Sequence, residues 1–89
     1  MTYHRIEFTR GFAKQFKKLT PRQKQKFYAR LRLFKQEPYA KVLNNHGLEG
    51  KYLGYRSINV EGDFRVLYRI KDDVVVIFAF IGSHAKLYG

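Results

Sequence analysis

Eighty-nine residues with 18 Lys and Arg against 7 Asp and Glu, a formal net charge of +11, allow one domain around one core and point to a polyanionic partner. Hydrophobic residues make up 45% of the chain, too many for a disordered segment, and the absence of cysteine excludes disulfides, thiolate metal sites and thiol redox chemistry. The opening MTYHRIEFTRGF lacks the apolar core of a signal peptide, and the longest uncharged apolar run, Val74 to Ile81, is too short to cross a bilayer, so a cytoplasmic protein without membrane contact is expected.

In chain order, residues 3–8 (YHRIEF) read as a short strand with Tyr3, Ile6 and Phe8 as its apolar positions. The period then changes. Thr9 is an N-cap candidate, and Phe12, Phe16 and Leu19 fall on one stripe, predicting a helix over 10–18. Thr20 and Pro21 stand at the N-cap and first position of a second helix over 21–36, with Phe27, Leu31 and Phe34 on one face and Pro38 beyond its end. The break is tight enough for a helical hairpin, whose outer surface carries Arg22, Lys24, Lys26, Arg30 and Lys35. That surface fits either a solvated face or a phosphate contact.

From Tyr39 to Leu53 no period is sustained and turn-forming residues dominate, so a long loop is expected. Strands over 55–60, 64–70 and 74–81 follow, joined by EGD and KDD hairpins into an antiparallel meander. The last is apolar throughout, as a strand covered on both faces or central in the sheet would be. The fold class is α+β in the order β-α-α-β-β-β, a single domain over residues 1–89 with the helical hairpin on one sheet face.

The charge is lopsided: residues 1–41 hold twelve Lys and Arg against Glu7 and Glu37, and residues 42–89 hold six against five acids. Nucleic acid is the leading candidate, since neutralising phosphates releases counterions, and a very acidic protein or an anionic membrane surface would use the same charge. Phosphate-cradling glycine loops, zinc spacings and nucleophile elbows are absent from the sequence, so neither metal nor cofactor is expected. The candidates for chemistry are His46 in the long loop, Asp63 in the first hairpin turn, Arg65 and Arg69 on the middle strand, and His84 and Tyr88 after the last. Alternation puts Arg65, Leu67 and Arg69 on the open sheet face and Phe64, Val66, Tyr68 and Ile70 toward the helices. Arg56 shares the phase of Ile58 and Val60, so a structural role is open to it beside a functional one. In a simple meander the long loop and KDD share one end of the sheet, EGD and the tail the other, so a single site needs the long loop to fold over or side chains on the strands to bridge the gap. Such groups suffice for one reaction of RNA, in which the 2′-hydroxyl attacks the adjacent phosphate with a base, an acid and cations in attendance.

FTRGFAKQFKKLT, HGLEGKYLGYRSINVEGDFRVLYRI and IGSHAKLYG together resemble the RelE/ParE superfamily of bacterial toxins, and within it the YafQ-like mRNA endonucleases. The resemblance implies a RelE-like fold, and roles in proton transfer or its orientation for His46, Asp63 and His84, with Tyr88 near the substrate. Where that branch has a second histidine on the strand, this chain has Asn59. GDFRVLY is similar to the RelE-like form, in which the strand arginine, here Arg65, stabilises phosphate charge. Lys51, Arg56, Asn59, Arg69 and Lys86 are the further RNA contacts expected, and Lys14, Lys17, Lys18, Lys24 and Lys26 would dock on ribosomal RNA. The partners implied are mRNA, the ribosome and an antitoxin, acidic in the segment that wraps the toxin. Two other readings stand beside this one: a ParE-like inhibitor of DNA gyrase without nuclease activity, and a general RNA-binding module.

Overall fold

The first change of period is a structural boundary. In a computed structural model, which describes residues 5–88, strand β1 (Arg5–Phe8) gives way to helix α1 (Arg10–Lys17) at Thr9, whose hydroxyl accepts from the Phe12 N–H at 3.0 Å. Residues 3 and 4 of the predicted first strand lie outside the described residues. Helix α2 (Pro21–Gln36) begins with a complete capping box: the Thr20 hydroxyl accepts from the Gln23 N–H at 3.1 Å, and the Gln23 carboxamide accepts from the Thr20 N–H at 2.9 Å. With Pro21 at the first position, where no N–H is missed, this start is fixed locally, and the predicted helix spans are borne out to within a residue.

Among the described residues one five-stranded sheet runs in the order β1-β5-β4-β3-β2, with β2 at His46–Gly47, β3 at Arg56–Glu61, β4 at Phe64–Asp72 and β5 at Val75–Ser83. The predicted meander is present as β3, β4 and β5. Strand β1 adds to it in parallel beside β5, with Arg5 opposite Val75 and Phe8 opposite Phe78, so the uniformly apolar β5 is central. Between α2 and β3 the expected long loop carries short 3₁₀ turns at Lys41–Leu43 and Gly50–Tyr52 and folds back as β2 along β3. The tail after β5 is a short helix, α3 (His84–Tyr88).

Phe12, Phe27 and Phe34 from the helices meet Ile58, Val60, Val66, Tyr68, Val76, Phe78 and Ile81 from one face of the sheet, with Phe16, Leu19, Leu31 and Phe64 at the margin. The expected phase of β4 therefore holds for Phe64, Val66 and Tyr68. Ile70 departs from it and is exposed, as is the rest of β4 from Arg69 toward the KDD turn. On β5 the phase shifts at a bulge: Leu67 pairs with Phe80 but Tyr68 pairs with Phe78, leaving Ala79 as an extra residue. The Thr9 hydroxyl donates to the Ala79 carbonyl at 3.1 Å, and the Gln15 carboxamide accepts from the Ile81 N–H at 2.9 Å, so α1 and its cap are bonded to β5 at the bulge and just beyond it. Phe78 and Ile81 consequently face the helices while Phe80 faces away.

Candidate active site on the open sheet face

Two cross-strand rows organise the face opposite the helices. His46 lies opposite Ser57, Ser57 opposite Leu67, and Leu67 opposite Phe80; two residues along, Asn59 lies opposite Arg65, and Arg65 opposite Gly82. Side chains of opposed residues share a face, so one surface carries His46, Ser57, Asn59, Arg65 and Phe80.

The Phe80 ring supports an aromatic cluster that seats the end of the chain. Tyr52 packs on Phe80 at 5.6 Å and on Tyr88 at 5.3 Å, Tyr55 packs on Phe80 at 5.9 Å, and the Tyr52 hydroxyl donates to the Leu87 carbonyl at 2.7 Å. Beneath, Leu87 lies on Gly82, where a Cβ would stand 3.6 Å from its side chain. The His84 backbone N–H donates to the Asp63 carbonyl at 2.8 Å, tying the tail to the β3–β4 turn, and the exposed His84 ring lies 4.5 Å from Tyr88.

Burial raises the pKa of the Tyr88 hydroxyl and the neighbouring Tyr52 phenol adds to this, while the Arg65 guanidinium pulls the other way. Tyr88 is thus a protonated donor at neutral pH and not a base. Arg65 Nη1, Asn59 Oδ1 and Ser57 Oγ are buried without a hydrogen-bond partner among the described residues. An unpaired donor and an unpaired acceptor on facing residues cost about 1–3 kcal/mol each, and such atoms fit a ligand group that can both accept and donate.

The structure sorts the sequence candidates into three groups. Asn59, Arg65, His84 and Tyr88 come together at one end of the open face. His46, expected at the opposite end, is carried onto the same face by β2, one strand and two residues from Asn59, which places its Cα roughly 12 Å from that of Arg65. Asp63 is joined to His84 through its backbone carbonyl, and it is also one of the residues bordering a separate cleft of about 680 Å³ on the helix side, with Gln15, Lys18 and Lys86.

The remaining cations divide. Arg56 is structural as well as basic: its Nε donates to Asn45 Oδ1 at 2.9 Å and its guanidinium lies 5.5 Å from the Tyr39 ring. Lys51 lies over Tyr52 at 5.2 Å, and Arg69 is exposed beyond the aromatic cluster. On the helical hairpin Lys14, Lys17 and Lys18 are exposed, Lys24 covers the Phe16 ring at 5.6 Å, and Lys26 is half-buried. None of these five takes part in an ion pair among the described residues, whereas Arg22 is held by Glu61 at 2.8 Å. Tyr52, Tyr55, Phe80 and Asn45 were not legible as site residues; the only signal in KYLGY was aromatic density within an aperiodic segment.

A family model described as the bacterial toxin YafQ of type II toxin–antitoxin systems matches residues 4–89. The mRNA interferase toxin YafQ of Escherichia coli is 31% identical over 88 residues, which cover 94% of this chain and 95% of that protein. The crystal structure of YafQ from Escherichia coli superposes with a TM-score of 0.80 at 30% identity, covering 94% of this chain and 97% of that one. A chain from the Escherichia coli DinJ–YafQ toxin–antitoxin complex matches with a TM-score of 0.78 at 28% identity and full coverage of both, 100% and 100%.

Proposed function

The chain belongs to the YafQ family of bacterial type II toxins, and from that premise we propose that it is an mRNA interferase, an endoribonuclease cleaving by attack of a ribose 2′-hydroxyl on the adjacent phosphate. The observation that carries this reading is the Asn59–Arg65 row, with its unpaired buried acceptor and donor, flanked by His46 on one side and His84 on the other. In-line displacement needs a base and an acid on opposite sides of the phosphorus, and two imidazoles beside a fixed guanidinium meet that need. Arg65 clamps the phosphoryl oxygens as charge grows on them. Asn59, which cannot exchange a proton, offers its amide N–H to the oxygen of the attacking hydroxyl, whose single proton is left for the base.

His46 is the base and His84 the acid that protonates the leaving 5′-oxygen. Asp63 orients the start of α3, and with it His84, through its backbone carbonyl, which accepts from the His84 N–H. Tyr88, a protonated donor, contacts phosphate, and Tyr52 and Tyr55 provide rings on which bases stack. Lys51 and Arg69 extend the cationic track along the RNA backbone, Lys86 offers its charge from the neighbouring cleft, and the α1 and α2 lysines dock on ribosomal RNA.

YafQ relatives are solved with an antitoxin, and a groove on the far side of the molecule suits such a partner. Phe8, Phe12, Phe16, Tyr28 and Leu31 line it with Lys17 at its edge, and Phe8 and Tyr28 remain 49% and 48% exposed. The apolar face of an acidic antitoxin segment would cover those rings and meet the lysine.

Arg65→Ala is expected to lower the cleavage rate about 10²–10³-fold, the loss that follows removal of one preorganised donor. Single-turnover assays on a model mRNA with ribosomes present measure it, and end analysis distinguishes the chemistry. Fragments of the wild-type protein carrying 2′,3′-cyclic phosphate are the expected products, and 3′-hydroxyl ends would rule this mechanism out. Inhibition of gyrase supercoiling with mRNA left intact would favour the ParE-like reading instead.

A further inference from the structure

We infer that Asn45 is a positioning residue for His46, fixing which ring nitrogen faces the substrate; this rests on the reading of His46 as the base. The segment Asn44-Asn45-His46 turns sharply, with Asn44 in the left-handed region at φ 46 and ψ 49, a conformation that Asn tolerates better than most residues. That turn brings the Asn44 carbonyl within 2.7 Å of His46 Nδ1. A carbonyl only accepts, so Nδ1 carries the proton and Nε2 of the neutral ring holds the free lone pair.

Both Asn44 and His46 are exposed, and a lone surface hydrogen bond between them would not hold the ring against water. The residue between them supplies the anchor. Asn45 Nδ2 donates to the Pro38 carbonyl at 2.8 Å and lies 2.8 Å from the Tyr68 hydroxyl, while Oδ1 accepts from Arg56 Nε at 2.9 Å and from the Tyr68 hydroxyl at 3.0 Å. Tyr68 is fully buried in the core, so the turn is tied to β4, to β3 and to the start of its own loop. Strand alternation then matters: Asn45 faces the helix side with Arg56 and Tyr68, and His46 emerges on the open face beside Ser57. With its amide engaged on every side Asn45 has no group left for RNA, and it acts through His46.

Nitrogen-15 spectra of the imidazoles, recorded above the pH at which they are neutral, read the tautomer directly. His46 of the wild-type protein is expected in the Nδ1–H form, and Asn45→Ala is expected to move it toward a mixture rich in Nε2–H. Cleavage by Asn45→Ala should fall on the order of tenfold to a hundredfold in kcat with KM little changed. Tyr68→Phe, which removes one hydroxyl and keeps the ring in the core, should shift the tautomer and kcat in the same direction by less, and it decides the matter if Asn45→Ala does not fold. A His46 ring that keeps the Nδ1–H form in the folded variant overturns the inference, as does an altered tautomer with an unaltered rate. Should His46→Ala cleave like the wild type, the base assignment falls, and the tautomer of the Asn45 variant still tests the positioning.

Discussion

His84→Ala is expected to lower mRNA cleavage by about 10²–10⁴-fold while leaving the protein folded. The His84 side chain is exposed and touches Tyr88, and its anchoring bond to the Asp63 carbonyl is made by the backbone N–H, which alanine retains. Thermal unfolding should therefore change by no more than about 0.5 kcal/mol, the usual range for a surface substitution. Loss of activity with an intact melting curve separates a role in the reaction from a role in folding. A variant as active as the wild type would remove His84 from the mechanism.

Phe34→Ala should have the largest effect on stability, about 3–5 kcal/mol. Phe34 is fully buried and packs edge-on against Tyr68 at 5.1 Å and Phe78 at 5.5 Å, so its removal leaves a void between helix α2 and two central strands. For a domain of this size such a loss is a large part of the whole stability and lowers the melting midpoint by about 12 °C or more. Denaturant titration measures it, and a midpoint within the error of the wild type would contradict the packing described. The effect should extend to the site, because Tyr68 carries on its hydroxyl the amide of Asn45.

The helices were legible because their signals are local: Thr9, Thr20 and Pro21 act within three residues of themselves, and the Phe12/Phe16 and Phe27/Phe34 spacings need no knowledge of the rest of the chain. The uniform apolarity of β5 likewise announced a central strand. What escaped depends on distant partners. The parallel pairing of β1 with β5 joins residues 70 apart, Arg5 and Val75, and periodicity cannot reveal it. Strand β2 is two residues long, one of them Gly47, and exists only because β3 offers an edge.

The same division applies to the site. His46, Asp63, Arg65, His84 and Tyr88 were nominated from residue chemistry and family pattern, and the open face of Arg65 followed from alternation. Sequence phase also allowed the structural role that Arg56 has. The way His46 joins Arg65 on one face could not be read, since it depends on the long loop folding back as β2. Tyr52 was missed for a similar reason: its value lies in reaching the carbonyl of Leu87, 35 residues away.

The extra residue at Ala79 separates two duties along one strand. Ahead of it Phe78 serves the helices, and after it Phe80 serves the aromatic seat of the chain end, although both belong to one unbroken apolar run. A change of side chain at Ala79 leaves that division standing. Were Ala79 instead taken into the ladder as an ordinary strand residue, Phe80 would turn to the face of Phe78, so what must be preserved at this point is an interruption of the ladder and not a chemistry, a requirement that tables of permitted substitutions do not register.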